Sequence, residues 1–229
     1  VVAALAACLT LAVAVHLGAA RYGAGLEVMM LDVGQGQCVL LASGGKYALV
    51  DCGSGSSWYD AGELAAHQLE TMGCTELDYL ILSHYDKDHI SGVAGLLARM
   101  DAAEVLVTEG TDDEAVQAAV LETAAAHGAE VRTVSEETAL ALGKARLRVF
   151  PPVGDSDDNE RSLVVLVSLG EQDLLLTGDL DRAAEKALLE AWDLPDIEYL
   201  AAGHHGSKTS TSAELLDALK PETVCISVG

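Results

Sequence analysis

LDYLILSHYDKDHISG, Leu77 to Gly92, is the stretch on which the fold turns. Leu77 to Leu82 is, but for Asp78, an apolar run of strand length, as expected of a strand covered on both faces. It leads straight into Ser83-His84-Tyr85-Asp86-Lys87-Asp88-His89. In an extended segment His84, Asp86 and Asp88 share one side. A helix from about Gly92 to Met100 follows, and the turn into it brings His89 round. Imidazole and carboxylate together suit zinc, manganese or iron. The plainer reading is a polar loop at a helix start, with Ser83 or Asp88 as its cap.

Upstream, Leu26 to Val33, Gln37 to Ala42 and Lys46 to Val50 are three short strands separated by Gly34-Gln35-Gly36 and Gly44-Gly45, an antiparallel meander. A helix from Asp60 to Met72 ends at Gly73. Downstream come a strand (Glu104 to Val107), a helix (Asp112 to His127) and a strand (Glu130 to Val134). The second half has strands at Ala145 to Phe150, Ser162 to Leu169, Asp173 to Thr177, Ile197 to Ala201 and Thr223 to Val228. Its helices are Asp181 to Trp192 and Ser212 to Leu219. Strand alternating with helix implies βαβ units. Two such halves imply two sheets face to face with helices outside.

Further ligand-type residues stand at other strand ends. Asp51 follows YALV, Asp179 follows LLLTG, and His204 and His205 follow EYLAAG. Rigid strands that deliver polar side chains to one sheet edge are the usual way a site is built. With these added, the His84–His89 cluster has enough donors for one or two divalent ions. Two such ions can clamp a phosphoryl group and acidify water. His16, His67 and His127 lie in apolar or helical contexts and read as core or solvated residues. Asp155, Asp157 and Asp158 read as a solvated acidic loop, and Ser207 and Ser210 lack an evident base partner.

The bulk properties narrow the classes. The chain has 229 residues, half of them apolar, with only 4% aromatics, so its core is aliphatic. The net charge is -23 with no basic run, which removes the electrostatic footprint of an ordinary nucleic-acid binder. Cys8, Cys38, Cys52, Cys74 and Cys225 form no C-x-x-C pair and read as buried, inert thiols. Val1 to Ala20 carries no charge, and roughly 20 apolar residues span a bilayer as a helix. Residues 1–21 are therefore expected to form a membrane helix ahead of a domain over 26–229.

SHYDKDHISG resembles the H-x-[HD]-x-D-H signature of the metallo-β-lactamase superfamily. LDVGQGQ, DCG, the Asn159 to Leu163 segment, TGD and HHGSKTS together resemble, more narrowly, the C-terminal domain of ComEC-type DNA-uptake competence proteins. The resemblance spans about Leu26 to Gly229. It implies a four-layer αββα sandwich with a metal site at the sheet edges, in a domain that degrades the strand that is not imported. His84, Asp86, Asp88 and His89 are then ligands, Asp179 bridges two ions, and His204 or His205 approaches them. Asp51 orients a ligand from behind, Asp88 also positions or deprotonates water, and Ser207 and Lys208 meet substrate. Three residues depart from the pattern: Asp86 where many members have His, Asn159 where many have another His ligand, and Gln37 where relatives often have Asp. The harder donors favour manganese over zinc, and Asn159 leaves one or two ions open. Relatives continue past Gly229, so truncation is expected there. The resemblance also implies single-stranded DNA as partner and an extracytoplasmic, membrane-tethered position.

Two other functions fit the same residues. One is a hydrolase of small esters, lactones or phosphoesters, which suits the acidic surface. The other is a non-catalytic domain that guides DNA, which suits Asn159 and the missing basic patch.

Overall fold

The computed structural model describes residues 5, 8, 10, 11, 25–154 and 157–229. Among the described residues twelve strands form two six-stranded sheets. The first sheet runs in chain order: β1 (Leu26–Met30), β2 (Val39–Ser43), β3 (Lys46–Val50), β4 (Glu76–Ile81), β5 (Asp101–Val107) and β6 (Glu130–Thr133). β1 to β3 are an antiparallel meander, and β3 to β6 are parallel. The second sheet mirrors this. β7 (Thr138–Leu142), β8 (Ala145–Phe150), β9 (Val164–Leu169) and β10 (Gln172–Leu176) are antiparallel, and β11 (Tyr199–Ala201) and β12 (Thr223–Cys225) add in parallel.

Side-chain alternation along each strand assigns its two faces. Val39, Leu41, Ala48, Val50 and Ile81 face the other sheet and meet Leu147, Val149, Val165, Val167 and Leu176. Leu40, Leu49, Leu80 and Leu82 face the opposite way. There they pack under α1 (Ala61–Thr71), α2 (Lys87–Ile90), α3 (Val93–Leu97) and α4 (Glu114–Ala126). On the far side of the second sheet, Val164, Leu166, Leu175 and Leu200 lie under α5 (Arg182–Ala191) and α6 (Ala213–Leu219). Three apolar layers therefore separate four structural ones, and the αββα expectation holds. Each fully buried Leu contributes about 1.5–3 kcal/mol to this stack.

The helices start where short polar side chains accept the first free amides. Asp60, Asp113, Asp181 and Ser212 cap α1, α4, α5 and α6 respectively. β7 is a strand that the sequence pattern does not announce. In Thr138–Leu142 the inward residues are Leu140 and Leu142, and the intervening Ala139 and Ala141 carry no polar signal. The expected membrane segment, residues 1–21, lies outside the described residues apart from four helical positions. Among the described residues no helix is long and apolar enough to cross a membrane.

Candidate metal centre

The parallel topology puts the C-terminal ends of β3, β4, β10 and β11 at one edge of the sandwich. Because β9 runs antiparallel to β10, the chain entering β9 arrives at that same edge. The two sheets are tied there by the Leu163 amide, which donates to the Ser83 carbonyl at 2.8 Å.

His84 and His89 leave β4 buried, with ring centroids 4.1 Å apart. Asp179, in the turn after β10, is also buried. His89 Nε2 lies 3.1 Å from Asp179 Oδ1, and His84 Nε2 lies 3.9 Å from Asp179 Oδ2. Asp86, about half exposed, sits with Oδ2 3.7 Å from His84 Nε2. On the other side, His205 Nε2 is 3.2 Å from Asp88 Oδ2. His204 comes to Asp179 from the solvent side, Nε2 to Oδ2 being 3.7 Å. Two sets of donors result: His84, His89 and Asp179, and Asp88, His89 and His205, the atoms of each within 4.8 Å of one another. Of the His pair left open by the sequence, His205 is the one inside a donor set.

A buried polar atom without a partner costs about 1–3 kcal/mol, so such atoms call for an explanation. His84 Nε2, His89 Nε2, His205 Nε2 and Asp179 Oδ1 are all buried and without a hydrogen-bond partner. They are also the atoms that converge. Their type, spacing and lack of partners suit a divalent cation.

The opposite ring nitrogens are held firmly. Asp51 is fully buried, and its backbone has φ of 59°, which an aspartate tolerates better than most residues. Its carboxylate accepts from Gln37 Nε2 (2.8 Å), Ser83 N (2.7 Å) and Ser83 Oγ (2.7 Å), and lies 2.8 Å from His89 Nδ1. A proton on Nδ1 turns the Nε2 lone pair toward Asp179, the orientation metal-binding histidines need. Gln37 explains its own departure from the family pattern: an amide can donate to Asp51 where a carboxylate could only repel it. Ser83 Oγ and Ser162 Oγ lie 3.0 and 3.4 Å from His84 Nδ1, and the Ser227 carbonyl lies 3.1 Å from His205 Nδ1.

Two glycines let the strand ends approach so closely. A Cβ on Gly53 would stand 2.4 Å from the His89 amide nitrogen. Gly178, at φ +55°, would place one 2.9 Å from Ser162 and 3.1 Å from Ser83.

Charge distribution follows the packing. Burial opposes ionisation of Asp179, but the neighbouring His89 outweighs it and holds the carboxyl well below its ordinary range. Burial likewise disfavours the His89 cation, but Asp51 and Asp179 prevail and raise it well above an ordinary imidazole. The nearby His84 ring lowers Asp86. Asp88 is lowered by His205 and His89 against the effect of its own burial.

The remaining predicted residues lie around this centre. Asn159 is half buried, and its carbonyl accepts from the Ser162 amide at 3.1 Å; Ser162 is the residue of that segment whose side chain reaches His84. Ser207 Oγ is 2.9 Å from Thr209 Oγ1. Lys208 is exposed, and its carbonyl accepts from Arg182 Nη2 at 2.5 Å. Ser83, Ser162 and Ser227 were not foreseen as supports. A lone serine beside a ligand carries no spacing rule, and only the convergence of strand ends reveals it.

Comparison with known proteins agrees with this geometry. The metallo-beta-lactamase superfamily matches residues 31–229. ComE operon protein 3 of Bacillus subtilis is 30% identical over 219 residues, covering 89% of this chain and 28% of that protein. Competence protein ComA of Neisseria gonorrhoeae is 32% identical over 210 residues, covering 88% of this chain and 27% of that one. The chain thus spans about a quarter of the length of these curated relatives. In fold it is similar to the metallo-beta-lactamase SMB-1 bound to 2-mercaptoethanesulfonate, with a TM-score of 0.55 and 16% identity over 80% of this chain and 78% of the other. Two mixed sheets between helices, donors gathered at one sheet edge, and a match over nearly the whole described domain lead to one assignment: the chain belongs to the metallo-beta-lactamase superfamily.

Proposed function

We propose that this domain is a metal-dependent phosphodiesterase that cuts single-stranded DNA during uptake, tethered to the membrane by residues 1–21. The observation that carries the hydrolase part is the convergence of four unpartnered buried donor atoms from His84, His89, His205 and Asp179. The DNA part rests on similarity to proteins named for competence.

A divalent cation, manganese or zinc, would be held by His84, Asp86, Asp88, His89, Asp179 and His205, and would polarise a phosphoryl oxygen and acidify water. The chain's own residues do the rest. Asp179 turns one oxygen toward His89 and the other toward His84 and His204, while His89 is the residue common to both donor sets. Asp88 is partly open to solvent, its Oδ2 3.2 Å from His205 Nε2, where it is placed to accept a proton from water. His204, about one third exposed, is the ring best placed to pass a proton to the departing oxygen. Ser207 and Lys208 form the rim on which a phosphate would rest. With a net charge of -23 and no basic run, attraction to DNA must come from the centre itself. Binding should therefore weaken only gently with salt, because few phosphate contacts release few counterions.

The test is cleavage of an end-labelled single-stranded oligonucleotide by the purified chain with manganese or zinc. Cleavage that Asp88→Ala abolishes is the expected result, and no cleavage with any divalent ion would refute the proposal. The acidic surface favours one other reading, a hydrolase of small esters or phosphoesters. Turnover of such a substrate with DNA left untouched would select it.

A further inference from the structure

Glu185 is fully buried, and among the described residues no cation pairs with it. A carboxylate in that situation needs strong compensation. It finds it in two backbone amides: Thr211 N donates to Oε1 at 2.5 Å and Ser212 N to Oε2 at 2.8 Å. Thr211 then accepts, through Oγ1, from the Gly203 amide at 3.0 Å. Gly203 opens the turn that carries His204 and His205. His204, His205 and Thr211 all have φ between 50° and 52°. Side chains seldom adopt that conformation unless their surroundings impose it.

The same helix makes two more ties to this loop. Arg182 N donates to the Thr209 carbonyl at 3.1 Å, and Arg182 Nη2 to the Lys208 carbonyl at 2.5 Å. Asp179 lies three residues before Arg182 in the chain. One short stretch, Asp179 to Glu185, thus supplies a donor to the centre and grips the loop that supplies another.

We infer that Glu185 is a positioning residue: by binding the Thr211 and Ser212 amides it fixes the strained His204–His205 turn, and so sets the angle at which His205 meets the cation. This inference rests on the metal reading of the site. Glu185 touches neither substrate nor ion, and it acts through Thr211 and Gly203.

Cobalt(II) is the probe, because its visible absorption reports the number and kind of its ligands. The full chain, Glu185→Gln, Glu185→Ala and Leu142→Ala are titrated with it at equal protein concentration. Leu142 lies buried between the sheets in β7, so its truncation lowers stability without touching the loop. Glu185→Gln keeps one acceptor oxygen and should weaken cobalt binding about 10-fold; Glu185→Ala keeps none and should weaken it about 100-fold. Both spectra should change, while Leu142→Ala keeps the wild-type spectrum and affinity. Wild-type binding and spectra in both Glu185 variants would overturn the inference alone, as would an equal loss in Leu142→Ala. A wild-type chain that takes up no cobalt would remove the metal reading and this inference with it.

Discussion

At the scale of single residues, Asp51 holds together the groups behind the centre although it lies outside both donor sets. Its carboxylate receives Gln37, both donor groups of Ser83 and the Nδ1 side of His89. Asp51→Asn is the informative change. Asparagine accepts the same positive φ, so the backbone stays while the negative charge behind His89 goes. Metal affinity should fall about 10- to 100-fold, read by calorimetric titration, with the fold retained by circular dichroism. Unaltered affinity would show that His89 needs no such partner.

His89 also fixes the direction of the pH dependence. Its ring is held well above the ordinary value of 6.5 in the metal-free chain. A raised base lends stability that is complete below the ordinary value and fades as pH climbs through the raised one. Metal binding at Nε2 needs the neutral ring, so uptake must expel that proton, and affinity must rise with pH across the same window. Titrations near neutral pH in buffers of different ionisation enthalpy should reveal proton release. An apparent enthalpy identical in all buffers would contradict it.

At the scale of elements, the apolar strand before His84 was legible because both its faces are covered, and its flanking helix was legible from caps and glycine stops. The meander, the βαβ units and the donors at the ends of β3, β4, β10 and β11 could also be read in the residues. β7 could not, since alternating Leu and Ala give almost no contrast. Nor could the choice between His204 and His205, because two adjacent residues in a left-handed turn point where no helix or strand period predicts. The pull of Ser162 rather than Asn159 toward His84 depends on the contact between the two sheets at Leu163 and Ser83, which links residues far apart in sequence. Close contact of elements gives a sharp test at Gly53. A Cβ there meets the backbone of Asp88 and His89, so Gly53→Ala should cost about 1–3 kcal/mol of stability. It should also displace His89 and reduce metal uptake. Urea unfolding with metal analysis would check both, and a variant with wild-type midpoint and metal content would argue against this packing.

At the scale of the whole molecule, the two sheets carry similar plans, a meander followed by parallel strands, and their facing edges each bring part of the centre. The first sheet gives Asp51, His84, Asp86, Asp88 and His89, and the second gives Asp179, His204 and His205. The acidic surface and the centre belong together in this view: carboxylates and imidazoles left without partners in the bare chain are matched by bound cation charge. The most direct test is the anomalous diffraction of crystals grown with zinc or manganese. The account predicts a peak at about 2.0–2.2 Å from the Nε2 atoms of His84 or His89 and from a carboxylate oxygen of Asp179. Crystals in which this cluster shows no anomalous density, with metal bound elsewhere or nowhere, would contradict it.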